Sequence, residues 1–206
     1  RLIVGNPGST SNPALDEVKI FEIPKVNLWK RIGNPLRVGE ETTSKSLVSL
    51  NQDGSIMATS KLDDFTIEIY NKTNDQWIKM NKNQLITSNQ ASIKSMMLSA
   101  NGKVLIVGFE IDSKGEIKVF QNVNNDWNER TLDLSTIARV DNDNFGKTVS
   151  ISADGSVIAI GSPGFKKNTA ALEEVGKIYI ANYVKNEDND EFSYKISESE
   201  GEIEGE

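Results

Sequence analysis

Cysteine and histidine are both absent from this 206-residue chain. Their absence excludes disulfides, Cys/His metal sites, thiol nucleophiles and histidine-based triads within it. It leaves the compartment open, because a cysteine-free protein is at home in oxidising and reducing surroundings alike. No apolar run approaches the roughly 18 residues of a membrane span. The chain opens at Arg1 without a basic-then-apolar leader, so targeting information reads as absent or removed. Concentrated positive charge is missing too. The net charge is −7, and between Asp190 and Glu206 seven acids face only Lys195, so that segment carries −6 and the rest −1. The nearly neutral body offers no basic footprint for nucleic acid or anionic lipid. The acidic end reads as a solvated segment.

What is present is a repeat. Thr148 to Pro163, TVSISADGSVIAIGSP, reads as two short strands joined by a tight turn at Asp154-Gly155. Its equivalents are Asp53-Gly54 and Asn101-Gly102, so the turn glycines lie 48 and 53 residues apart. Six residues beyond each glycine, Ser60, Gly108 and Gly161 close an apolar run, and the opening LIVG at Gly5 is the same run once more. Four copies at a period near 50 point to a propeller or an array.

Each copy continues with an alternating strand, and the period-two pattern puts Ile20, Ile69, Val119 and Ile180 on one buried face. A polar turn and an aromatic follow: Trp29, Trp77 and Trp127, with Phe192 expected in that place in the fourth copy. A four-stranded sheet cannot bury both faces alone, so neighbouring units must stack. The expected fold is therefore all-β, a β-propeller of four-stranded blades over 1–199 (1–40, 41–86, 87–135 and 136–199). The first blade lacks its inner strand, residues 200–206 form an acidic connection or tail, and the whole is part of a larger ring.

Phe145-Gly146, then Val149 to Gly155, then Ile160-Gly161-Ser162-Pro163 resembles the FG-GAP repeat, whose family builds β-propellers such as the integrin α-chain head. Gly5-Asn6-Pro7 matches the second half of the motif, and Trp29 to Gly33 looks like the outer-strand signature of FG-GAP-like propellers. The Phe-Gly pair occurs only in the fourth copy. The resemblance implies ligand and cell recognition at an extracellular surface, in some members with Ca²⁺ in the loops. Such a loop needs several alternating oxygen ligands. Glu110 and Asp112 come nearest here without reaching that spacing, so no metal or other cofactor is expected.

Among single features, Asp141-Asn142-Asp143-Asn144 lacks a terminal bidentate acid and reads as a turn between blades. Trp29, Trp77 and Trp127 sit at repeat-equivalent places and read as packing between blades, not as a stacking platform for ligands. Adjacent acid pairs such as Asp63-Asp64 point to opposite faces of a strand and have no acid–base geometry. Gly161-Ser162-Pro163-Gly164 precedes no helix and is not a phosphate cradle. Asn71-Lys72-Thr73 is an N-glycosylation sequon, meaningful only in a secreted eukaryotic protein. The insertion Phe165–Val175, with Phe165, Lys166, Lys167 and Leu172, is longer than its counterparts and is the recognition candidate.

The expected function is a non-enzymatic recognition or adhesion module, with a protein or glycan partner at a cell or particle surface. The alternative is a scaffold component of an extracellular or virion assembly, contacting neighbouring subunits. A propeller enzyme is disfavoured by the missing histidine and cysteine. Neither nucleic acid nor membrane insertion is expected.

Overall fold

The computed structural model of the chain describes residues 2–6, 17–22, 30–31, 36–37, 47–61, 66–80, 85–86, 92–111, 114–134, 142–166, 174–185, 192–196 and 202–204. These form strands, turns and irregular segments, with no helix among them. Two compact units result, 1–89 and 90–206.

In the first unit, β1 (Leu2–Asn6), β2 (Glu17–Glu22) and β3 (Lys30–Arg31) pair in that order, and β4 (Leu36–Arg37) extends the same edge of β2. No inner strand precedes β1 among the described residues. The second sheet runs β5 (Val48–Leu50), β6 (Ile56–Lys61), β7 (Thr66–Thr73) and β8 (Gln76–Lys79), with β9 (Leu85–Ile86) beside β7. Ile20 of the first sheet packs on Met57 and Tyr70 of the second, with Trp77 against the same cluster.

In the second unit, the third sheet is β10 (Ser92–Leu98), β11 (Val104–Ile111), β12 (Lys114–Val123) and β13 (Asp126–Arg130). The chain then contributes β14 (Leu132–Asp133) to the fourth sheet, parallel to its last long strand. That sheet is β15 (Thr148–Ile151), β16 (Val157–Ser162), β17 (Lys177–Lys185) and β18 (Phe192–Ile196), with β19 (Glu202–Glu204) on the edge of β17. Residues 202–204 therefore lie where β4 and β9 lie in their sheets. Val104, Ile106, Ile117 and Val119 of the third sheet and Ile158, Ile160, Tyr179 and Ala181 of the fourth share one core.

Three sequence expectations need correction. The first concerns the repeated turn. Only its glycine takes a positive φ, at Gly54 (65°), Gly102 (68°) and Gly155 (83°), while the preceding Asp or Asn does not. The loop is longer than two residues, because Asn51 N donates to Ile56 O across it and Gly54 N donates to Asn51 O. The acid works through its side chain: Asp154 Oδ1 accepts Ser156 N at 3.0 Å, Ser156 Oγ at 2.8 Å and Ser152 Oγ at 2.7 Å. The two-residue turns with both φ positive fall instead at Asn74-Asp75 and Asn124-Asn125.

The second concerns the buried face of β17. Ile20, Ile69 and Val119 are buried, but Ile180 is only half-buried and Ile178 is 43% exposed. The core face of that strand is Tyr179 and Ala181. The third concerns the aromatic. Strand register sets Trp77 opposite Lys72, Trp127 opposite Asn122 and Tyr194 opposite Tyr183, so Tyr194 and not Phe192 is the equivalent. Tyr194 is buried, whereas Phe192, two residues nearer the hairpin end, is 50% exposed.

Candidate recognition face

The Phe-Gly pair sits in a tight interlock within the second unit. Asn142, Asn144 and Gly146 take φ of 65°, 56° and 79°, folding the chain back on itself before β15. Asp143 is buried inside this turn, and its Oδ1 accepts Phe145 N at 2.9 Å. Its carbonyl accepts Gly164 N and Ser162 Oγ, both at 2.9 Å, which ties the turn to the end of β16. Its Oδ2 has no hydrogen-bond partner. This is a structural aspartate turned inward, and no group of three metal-ligating side chains occurs among the described residues. Asp141 lies outside them.

Gly146 N donates to Gly161 O at 3.0 Å, and its carbonyl accepts Ser95 Oγ at 2.7 Å. A Cβ on Gly108 would collide with that carbonyl, and one on Gly115 would collide with the carbonyl of Phe145. The motif thus needs bare backbone on the preceding sheet. The Phe145 ring is buried edge-on to Tyr179, centroids 5.3 Å apart. Gly161 faces Thr148, and Pro163 is exposed at the strand end.

Residues 163–176 separate β16 from β17, against 112–113 between β11 and β12. The longer connection is pinned at its base: Phe165 N donates to Ser162 O, and Phe165 O accepts Val175 N at 3.0 Å and Gly176 N at 3.1 Å. The Lys177 ammonium lies 4.7 Å from the centre of the Phe165 ring and 5.2 Å from that of Tyr179, in cation–π range of both. Phe165 and Lys166 are half-buried at this base. Lys167 and Leu172 lie outside the described residues, as does Trp29. Asn71 is half-buried in β7, paired with Ile56 and Ile78. Trp127 is buried, and neither its Nε1 nor that of Trp77 has a hydrogen-bond partner.

Lys94 and Lys147, which line a small cavity beside this interlock, carry no repeat signal. Only the register irregularity at Lys94, invisible without strand pairing, marks the place.

No protein-family profile matches the chain, and no curated protein matches it in sequence. Solved structures do resemble it. A putative 6-phosphogluconolactonase from Bacteroides uniformis aligns with a TM-score of 0.55 at 12% identity, over 86% of this chain and 50% of that one. The Dos1 propeller aligns with a TM-score of 0.53 at 12% identity, over 91% and 41%. The fold is that of a β-propeller. A functionally unknown protein from Desulfotomaculum acetoxidans aligns similarly, with a TM-score of 0.54 at 12% identity, over 93% and 51%. The chain thus spans about half the length of these structures or less, and at such identity the likeness concerns the fold alone.

Proposed function

We propose that the chain belongs to a non-enzymatic recognition propeller of the FG-GAP type, presenting loops to a protein or glycan partner at a cell or particle surface. The observation that carries this reading is the connection between β16 and β17. It is longer than its equivalent between β11 and β12, and Phe165 closes its base through two backbone hydrogen bonds. Loops held by a rigid scaffold are where propellers place binding. The Phe145-Gly146 interlock supports the FG-GAP assignment, because it explains why that pair requires glycines in the sheet before it. Replacing 166–174 with a Gly-Ser linker, which keeps the Phe165 base, should abolish binding in a glycan-array or cell-surface screen. Binding that survives the replacement removes the loop from the reading.

A second reading, a scaffold component of an extracellular or virion assembly, is favoured by one observation. Ile178 is 43% exposed, while its repeat equivalents Ile67 and Ile117 are at 0% and 8%. An apolar position left open on one sheet is what a neighbouring subunit would cover. Sedimentation of Ile178→Lys against the parent chain tests it: a parent that stays monomeric at high concentration rules out self-assembly through this face.

A further inference from the structure

We propose that a cavity between the third and fourth sheets binds a single carboxylate of acidic side-chain size, offered by a protein partner. The inference deepens the recognition reading and rests on it. The cavity holds about 120 Å³ and is lined by Lys94, Lys147, Glu110, Asn144, Phe109 and Phe145, among others.

Lys94 is the extra residue of a β-bulge: pairing passes from Ile93↔Phe109 to Ser95↔Gly108 and leaves it without a partner in the ladder. Bulges re-aim side chains in this way. Its ammonium lies 3.5 Å from Glu110 Oε1, beyond a good hydrogen bond, so its donors stay available to a closer oxygen. Lys147 is exposed, and its ammonium has no ion-pair partner among the described residues. Two cations against one carboxylate give the lining a net charge of about +1, which favours an anion. Asn144, held at φ 56°, stands beside them. The two phenylalanines are each 1% exposed and supply an apolar wall for methylene groups.

The space holds several water-sized groups, enough for a carboxylate and the methylenes behind it, and its cationic lining favours an acid over a neutral sugar. An aspartate or glutamate side chain is the chemistry that matches.

The test titrates N-acetylglutamate α-amide into the full chain and follows the backbone amides of Gly115, Asn144 and Gly146 by NMR. Saturable shifts are expected with a dissociation constant on the order of 1–10 mM. Binding should weaken with added salt and loosen about three- to fivefold in Lys147→Gln. Lys94→Gln serves as the second variant, and the exposure of both lysines keeps the fold out of question. Equal binding of the glutamine analogue, preference for the lysine analogue, or no saturable shift at these amides would each overturn the proposal. The linker replacement of 166–174 should leave this titration unchanged. Surface binding that is unchanged in Lys94→Gln and Lys147→Gln then counts against the cavity as the partner's contact, and surface binding unchanged by the linker replacement counts against the loop.

Discussion

The third and fourth sheets place an aromatic at the same point of the outer strand and secure it differently. In the third, Trp127 is 6% exposed and its indole N–H has no hydrogen-bond partner. In the fourth, Tyr194 is 2% exposed and its hydroxyl donates at 2.5 Å to the carbonyl of Gly155, the glycine of the inner hairpin turn. The position therefore demands a large flat side chain, and the polar handle is a separate addition. Where the handle finds a partner, it ties the third strand's far neighbour to the first hairpin of the same sheet. A similar lesson comes from the second and third sheets, which exchange the signs of one cross-strand ion pair. Glu68–Lys79 (2.8 Å) in one stands where Lys118–Glu129 (3.0 Å) stands in the other. Geometry selects the pair, and the sign is free.

The comparison breaks most visibly if the aromatic volume is removed. Trp127→Ala should cost about 3–5 kcal/mol in urea unfolding, since a buried indole leaves a cavity that strands cannot collapse. A cost under about 1 kcal/mol would show that the ring is not holding the sheet. Next comes the backbone contact between the two sheets. Gly108→Ser installs the residue that Ser60 supplies in the second sheet, yet here a Cβ meets the Gly146 carbonyl, so a loss of about 1–3 kcal/mol is expected. The same titration of stability on Ser60→Gly should show no comparable gain.

The hydroxyl itself is worth less. Tyr194→Phe should lose about 1 kcal/mol, leaving the Gly155 carbonyl unpaired. It also has a pH signature. Burial, then the neighbouring Tyr183 and Asp154, push the Tyr194 phenol up to about 12 from 10.0. A phenol harder to ionise when folded contributes stability that is complete below pH 10 and disappears as pH rises through 12. Tyr194→Phe should flatten part of that alkaline decline, with the rest remaining because burial and Glu68 also push Tyr70 upward. The smallest effect belongs to the turn. Hydrogen bonds from Ser156 N, Ser152 Oγ and Ser156 Oγ hold the exposed Asp154 carboxyl down at about 2 from 3.8. Its contribution is present above pH 3.8 and fades as pH falls through 2. The stability difference between Asp154→Asn and the parent should shrink across that window, and a constant difference would show that the carboxylate charge is immaterial.

Much of this frame was legible beforehand. The apolar runs IMATS, VLIVG and VIAIG marked the strands, and the turn glycines marked the period. Two of the misreadings share one cause, a loop longer than the sequence suggests. Distance along the chain aligns Phe192 with the tryptophans, but six residues separate Lys185 from Phe192, and only the pairing of Tyr183 with Tyr194 reveals the true equivalent. Likewise Asp-Gly looks like a two-residue turn until the Asn51–Ile56 hydrogen bond shows the loop to be longer.

Local chemistry written in the chain was enough to decide the β character, the four-fold repetition and the glycine positions of the repeated turn. These depend on residues a few positions apart, whose preferences survive in any context. Tertiary structure alone decided that Gly108 and Gly115 receive the Phe145-Gly146 backbone, that Lys94 leaves its ladder, and that Lys94 and Lys147 share a cavity with two phenylalanines. Those relations join residues some 15 to 50 positions apart through strand register and sheet packing, and a one-residue slip in either would undo them.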